Sequence, residues 1–343
     1  MLTTVLSGGL IGLIFGFILQ RTRFCLTGGF RDMYIARNNT LFYAFLIAIT
    51  VESIGVLSLI KLGIVGNPYE DFSVLGAIVG SYLFGIGIVL AGGCATGTWY
   101  RAGEGLLGSW VALFFYMISA AAMKSGFLVP LNQLIAKRWV INDDLAGQLG
   151  IPVWYLLVFL VAITSFIVIR ELRKPRRQIA TLPSKYKGVR HYLFEKTYHK
   201  YFAGFLIGLV ALIAWPASQL TGRVGGLGIT TPSAHLISYI ITGDSKQLGW
   251  GVFLVLGIFL GSFLAAKGSR EFRWRLPDLS TIGKSTLGGI FMGIGASWAG
   301  GCTIGNGLTA TAIFSSKGWI ALPVTILGVW TASYIIFVKP NKN

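Results

Sequence analysis

Apolar residues along this chain come in long blocks rather than in alternation, and short polar segments rich in Lys and Arg separate them. Nine blocks reach or approach the ~20 residues an α-helix needs to cross a bilayer. They run Thr4 to Leu19, Leu41 to Ile60, Phe72 to Ala91, Leu106 to Ala122, Val153 to Ile169, Tyr201 to Trp215, Leu248 to Ala266, Ser285 to Ala299 and Trp319 to Val338. The pattern predicts an all-α membrane protein with about nine transmembrane helices. The first block has no basic segment before it and runs into Arg21 and Arg23 rather than a small-residue cleavage site, so it reads as a retained span and not a signal peptide.

The blocks repeat. Gly85-Ile86-Gly87, Ala91-Gly92-Gly93-Cys94 and Gly97 recur as Gly293-Ile294-Gly295, Ala299-Gly300-Gly301-Cys302 and Gly305, at a constant offset of 208 residues. Gly9 to Leu13 resembles Gly204 to Leu209, and the block at Leu41 corresponds to the one at Leu248. Residues 1–125 and 201–343 are therefore expected to be two copies of one unit within a single transport domain of 1–343, joined by an extra span at 153–169 and a basic linker at 170–200. Four spans return the chain to its starting side and the fifth crosses once more, so the second copy enters inverted. In such bundles the site is expected near the midplane, where interrupted helices meet, because irregular backbone is tolerated there only when it is buried or lines a cavity. The breaks are AGGCATG and AGGCTIG, with two more at Thr27-Gly28-Gly29 and Val224-Gly225-Gly226-Leu227-Gly228. The short apolar segments that follow, Met33 to Ala36 and Ala234 to Ile241, read as re-entrant half-helices.

Composition agrees with the membrane reading: 54% of residues are hydrophobic and 12% charged, against about 25% charged in a soluble domain. A net charge of +17 would point to nucleic acid in a soluble protein. In a membrane protein it reports loops lying against anionic lipid, and nucleic acid is not an expected partner. The linker holds ten Lys or Arg against Glu171 and Glu195, which places it in the cytoplasm. With it there, 22 of the 29 basic residues fall inside, and the N-terminus is expected outside and the C-terminus inside. The basic runs KPRRQ and SKYKGVR in this linker read as its lipid-facing surface. Trp99, Trp110, Trp154, Trp250 and Trp319 lie near span ends, where interface anchors sit.

Three cysteines, Cys25, Cys94 and Cys302, are the candidate chemistry. Cys94 and Cys302 occupy both repeated helix breaks, with Gly92, Gly93, Gly97, Gly300, Gly301 and Gly305 around them and Gly28, Gly29, Gly225 and Gly226 at the other two breaks. Glycine there lets backbone N–H groups approach an anion. Approached from the outside, Cys302, Cys94 and Cys25 form an ordered path. Glu52, alone in an apolar span, is expensive to ionise. An acid on an anion path repels its cargo, so a structural partner, such as a cluster of loop N–H groups, is the expected role. Arg101 either draws an anion to the inner mouth or marks the inner surface, while Lys124, Arg223 and Lys246 are candidates for an outer collecting funnel but read first as solvated loop charges. His235 reads as a hydrogen-bonded core residue.

The paired AGGC-x-x-G loops, the early Arg21-x-Arg23-Phe24-Cys25 stretch and the inverted nine-span layout resemble the YeeE/YedE family of thiosulfate uptake proteins, over essentially the whole chain. The resemblance implies a bacterial inner-membrane transporter, thiosulfate as substrate, Cys25, Cys94 and Cys302 as the functional thiols, no cofactor, and a small cytoplasmic TusA-like sulfur carrier as partner. The chain ends five residues after Val338, so no fused carrier is expected. The chemistry of the ion fits independently. Thiosulfate is a dianion with a soft terminal sulfur, to which a neutral S–H donates a weak hydrogen bond and which a thiolate repels. Burial in apolar surroundings favours the neutral thiol, and conduction needs several weak sites in series.

Two other functions compete. A membrane sulfurtransferase or thiol redox protein working through a persulfide lacks a C-x-x-C pair and a His or Lys base near the cysteines in sequence. Soft-metal transport lacks a His or Met cluster, and the cationic excess is wrong for a cation path. Another sulfur or selenium species remains open as the cargo. No phosphate-binding loop for a nucleotide is present in the sequence.

Overall fold

A computed structural model of the protein describes residues 1–174, 188–196 and 198–342. The basic runs at 175–178 and 184–187 lie outside the described residues. Among the described residues fifteen α-helices follow in order: α1 (Leu2–Thr22), α2 (Leu26–Ile35), α3 (Thr40–Lys61), α4 (Val74–Leu90), α5 (Ala95–Gly103), α6 (Leu107–Ser125), α7 (Val129–Ala136), α8 (Leu145–Leu149), α9 (Val153–Leu172), α10 (Val189–Phe194), α11 (Lys200–Gln219), α12 (Thr230–Thr242), α13 (Trp250–Gly268), α14 (Leu279–Trp298) and α15 (Ser316–Ser333). A π-helical segment, Gly305–Ala310, precedes α15. The one sheet among the described residues is a two-residue pair, Phe72–Ser73 with Val140–Ile141. The chain is an all-α, multi-pass membrane protein. Among the described residues eight helical stretches are long and apolar enough to cross a bilayer. The predicted span Ser285 to Ala299 is the helix α14, which falls outside those eight. Lys284 and the hydroxyls of Ser280, Thr281, Ser285 and Thr286 dilute its apolar character, and its glycine-rich face packs inside the bundle.

Small residues decide how the helices meet. Without a hydrophobic drive between helices in lipid, close backbone approach supplies the packing energy. The α1 helix lies along α13 and α11 lies along α3. In the first pair Gly8 and Gly12 sit against the carbonyls of Trp250 and Leu254; in the second Gly204 and Gly208 sit against those of Ala44 and Ala48. The α4 helix packs on α15 as α14 packs on α6, and α4 and α14 cross each other. At that crossing a Cβ on Gly80 would fall 2.6 Å from the Gly295 carbonyl oxygen, and one on Gly288 would fall 2.8 Å from that of Gly87. A leucine at Gly80 is therefore expected to lower the thermal midpoint of the purified protein by several degrees or block its recovery, since overpacking costs about 1–3 kcal/mol or more. Leucine at Gly9, where a Cβ meets nothing within 4 Å, is expected to leave the midpoint unchanged.

Helix direction follows from the same contacts. Gly8, Gly12 and Gly16 meet Trp250, Leu254 and Ile258 in ascending order, so α1 and α13 run parallel. The start of α11 lies at the end of α1, where the Lys200 ammonium donates to the Thr22 carbonyl at 2.6 Å. Helices α1 and α11, the first of each sequence repeat, therefore run in opposite senses.

Two expectations about local structure are corrected. Thr27-Gly28-Gly29 is not a break: it lies in the first turns of α2, and the chain breaks earlier, at Arg23 to Cys25, with Arg23 left-handed at φ 52. Both half-helices are longer than the predicted Met33 to Ala36 and Ala234 to Ile241, because α2 begins at Leu26 and α12 at Thr230. Of the tryptophans read as interface anchors, Trp110, Trp154 and Trp319 are exposed, but Trp99 and Trp250 are buried. Their indole N–H groups explain this, since they donate inward to the hydroxyls of Ser233 and Ser7.

Candidate functional site

Two breaks that turn on the same glycine conformation carry Cys94 and Cys302. Gly92 and Gly300, one offset apart in the repeat, both adopt φ 69, a left-handed conformation that glycine takes without a side-chain penalty. After the first break Cys94 caps α5, its Sγ accepting from the Gly97 N–H at 3.4 Å. After the second, the Cys302 carbonyl accepts from the Asn306 N–H at 2.8 Å as the chain winds into the π-helical segment. Cys25 caps α2, its carbonyl accepting from the Gly29 N–H at 2.9 Å. All three cysteines stand where a helical segment begins, and for α2 and α5 the exposed N–H groups and the helix dipole favour negative charge there. All three are buried free thiols.

Side chains far apart in sequence brace the breaks. The Arg101 guanidinium donates to the Gly92 carbonyl, to the Cys25 Sγ at 3.3 Å and to the Tyr100 hydroxyl at 3.4 Å. It ties the Cys94 loop to Cys25, so it is neither a simple surface marker nor a free cation. Asn306 braces the second break, its amide donating to the carbonyls of Ala299 at 2.8 Å and Gly301 at 3.2 Å. Asn306 escaped the sequence reading; its place between two glycines just past the repeated loop was the available signal.

Cys302 faces a chamber of about 520 Å³. Gly225, Gly226, Gly300, Gly301 and Gly305 line it, and its rim carries Glu70, Asp143, Arg223 and Lys317. Arg223 is fixed on the wall: its guanidinium donates to the Gly226 carbonyl at 2.8 Å and lies 5.4 Å from the Trp250 ring centroid. It is therefore not an ordinary solvated loop charge. Lys124 does not line the chamber itself but donates at 2.7 Å to Thr231, which does. Lys246 is exposed and stands away from the lining. His235, read from sequence as a core residue, lines the chamber because α12 begins four residues earlier than its apolar pattern indicates. Asp143 at the rim accepts from the Ser315 hydroxyl at 2.6 Å and the Lys317 N–H at 2.8 Å; burial raises its carboxyl pKa and these bonds oppose the rise.

The Cys94 side is closed. Leu19, Phe24, Leu26, Phe45, Ile207 and Ile304 surround a void of about 10 Å³ beside Cys94 and Gly97, room for about one water and none for a polyatomic anion. Near the end of α1 an ion cluster joins three elements: Arg23 donates to both oxygens of Glu104 at 3.0 Å and to Glu271 at 2.9 Å. Glu52 is fully buried, and its Oε1 accepts from the Trp215 indole N–H at 2.9 Å. Its partner is a side chain, not the loop N–H cluster expected.

Residues 21–331 match the sequence profile of the family described as sulphur transport. The chain belongs to that family. It is 54% identical to the thiosulfate transporter TsuA of Escherichia coli K12, over all of this chain and 97% of that protein. It is 33% identical to the thiosulfate transporter TsuA of Spirochaeta thermophila, over 96% of this chain and 98% of that one. A shorter likeness, 42% identity over 101 residues, joins it to the probable transporter YedE of E. coli K12, covering 29% of this chain and 25% of that protein.

Proposed function

We propose that this sulphur transport family member carries thiosulfate inward across the bacterial inner membrane by passing it along Cys302, Cys94 and Cys25. The observation that carries the reading is the Cys302 chamber. It is large enough for a small anion, edged by Arg223 and Lys317 alongside Glu70 and Asp143, lined by glycine backbone and backed by a thiol. Relatives named as thiosulfate transporters over the full chain length support the choice of ion. Neutral thiols donate weakly to the soft sulfur, and the backbone N–H groups near each cysteine suit the oxygens. The apolar closure around Cys94 opens as the ion passes, and Arg101 links Cys94's loop to Cys25 at the inner end. A small TusA-like carrier is the proposed cytoplasmic recipient, and the protein acts as a transporter rather than an enzyme. The two halves are proposed to be inverted copies, which the opposed directions of α1 and α11 support. Uptake of radiolabelled thiosulfate into proteoliposomes, with sulfate in competition, tests the function: uptake that sulfate leaves intact supports it, and no uptake overturns it.

The orientation is part of the proposal. With 22 of 29 basic residues on one side, the N-terminus faces the periplasm and the chamber opens outward. A reporter fused after Asn343 is expected to read as cytoplasmic; a periplasmic signal would reverse the direction of every step above.

A further inference from the structure

Glu52 sits behind the chamber wall with its chemistry unspent. It is fully buried, one carboxyl oxygen is held by Trp215, and Oε2 has no hydrogen-bond donor among the described residues. The other polar group facing the carboxyl is the Thr309 hydroxyl, and among the described residues Glu52 takes part in no ion pair. That hydroxyl spends its only proton on the Leu227 carbonyl at 3.1 Å. With that proton on Leu227, the hydroxyl keeps lone pairs that can accept from a protonated carboxyl. An ionised carboxylate here would lack a counter-charge in the membrane interior, at a cost of several kcal/mol.

The site cannot be explained by helix packing alone. Matching Gly204–Ala44 and Gly208–Ala48 of α11 and α3 with Gly8–Trp250 and Gly12–Leu254 of α1 and α13 puts Trp215 in register with Leu19, and Glu52 with Ile258. Both counterparts are buried and apolar, so the same helix pairing forms without a carboxyl. The environments differ in one respect. Leu19 borders the small void at Cys94, whereas Trp215 borders the open chamber at Cys302. Trp215 also packs against the loop: a Cβ on Gly226 would lie 2.7 Å from both its Nε1 and the Thr309 Cγ2. Trp215, Gly226, Leu227 and Thr309 all line the chamber.

From this we infer that Glu52 is a positioning residue that, as the neutral acid, holds Trp215 and Thr309 in place and so keeps the Gly225–Gly228 wall of the Cys302 chamber open to the anion. This rests on the reading of the chamber as the thiosulfate site. Glu52 does not touch the ion; it sets the wall that does, and its neutrality removes the repulsion an acid beside an anion path would bring.

The test compares Glu52→Gln, Glu52→Leu and Trp215→Phe with the unmodified protein in proteoliposomes. Two readouts are used: the KM and maximal rate of thiosulfate uptake, and the alkylation rate of Cys302 by a small maleimide, located by mass spectrometry. Glutamine keeps an acceptor for Trp215 and a donor for Thr309 without charge, so both readouts are expected to stay within about twofold of the unmodified protein. Glu52→Leu and Trp215→Phe are expected to raise KM about tenfold or more with a smaller change in maximal rate, and to slow Cys302 alkylation by a similar factor. Loss of uptake in a folded Glu52→Gln protein overturns the inference, because the charge or a released proton would then be what matters. Uptake and alkylation unchanged in Glu52→Leu overturn it as well, and if that variant does not fold, unchanged values in Trp215→Phe do the same. Should the unmodified protein show no thiosulfate uptake, the functional reading fails, while the alkylation rates still decide whether Glu52 holds the wall.

Discussion

Replacing Cys94 or Cys302 by alanine is expected to reduce thiosulfate uptake by about 10- to 100-fold, with the protein still folded. A hydrogen bond to a charged partner is worth ~1.5–3 kcal/mol, and each thiol stands alone at its break, with no neighbouring cysteine in sequence to take its place. The loss is not expected to come from instability. The substitution removes one atom and, at Cys94, one long cap bond from the Gly97 N–H, while the loops stay held by Asn306 and the Cys302 carbonyl at one break and by Arg101 at the other. A thermal midpoint within a few degrees of the unmodified protein, measured on the same preparations, separates the two causes. Cys25→Ala is expected to be milder, since Cys25 lies nearest the exit and Arg101, which reaches it, remains to receive the anion. Normal rates in both Cys94→Ala and Cys302→Ala would remove the thiols from the mechanism.

Serine in place of Cys94 or Cys302 is expected to impair uptake too, by about tenfold, although a hydroxyl is the stronger donor. It suits the oxygens, not the soft terminal sulfur. For the same reason sulfate, similar in charge and shape, is expected to be a poor substrate. Alkaline pH acts in the same direction. A thiolate has lost the donated proton and carries a charge that repels a dianion, so uptake is expected not to rise with pH near neutrality, and because burial favours the neutral thiol any fall comes above the ~8.5 at which free thiols ionise. A persulfide route needs the thiolate and predicts uptake that rises with pH near neutrality. Initial rates across this range, with mass spectrometry of the three cysteines after turnover, distinguish the routes. A rising profile together with a persulfide on Cys94 or Cys302 would refute the hydrogen-bond relay.

The breaks were legible in sequence where glycine does conformational work and illegible where it does not. Gly92 and Gly300 turn left-handed just before their cysteines, so the repeated AGGC signals a real interruption. Gly28 and Gly29 mislead because their smallness serves contact. A Cβ on Gly29 would sit 3.0 Å from that of Leu41, and one on Gly28 would come 3.9 Å from the Cys25 thiol, so both are helical residues near neighbours. The actual break uses Arg23, held by Glu104 and Glu271, and an arginine in left-handed backbone leaves no mark in composition. The chamber was hidden for a different reason. Trp215, Arg223, Asn306 and Lys317 come together only through tertiary packing, so charge counting could assign Arg223 and Lys317 a side of the membrane but not a place on one wall. Glu52 was recognisable as anomalous from its apolar span, while its partner on α11 was not, because α3 and α11 are distant in sequence.

The most direct test of the account is the initial rate of radiolabelled thiosulfate entry into proteoliposomes containing the unmodified protein or its Cys302→Ala variant, measured side by side at neutral pH. The account predicts saturable entry with the unmodified protein and a rate about 10- to 100-fold lower with the variant. Equal entry through both would contradict it.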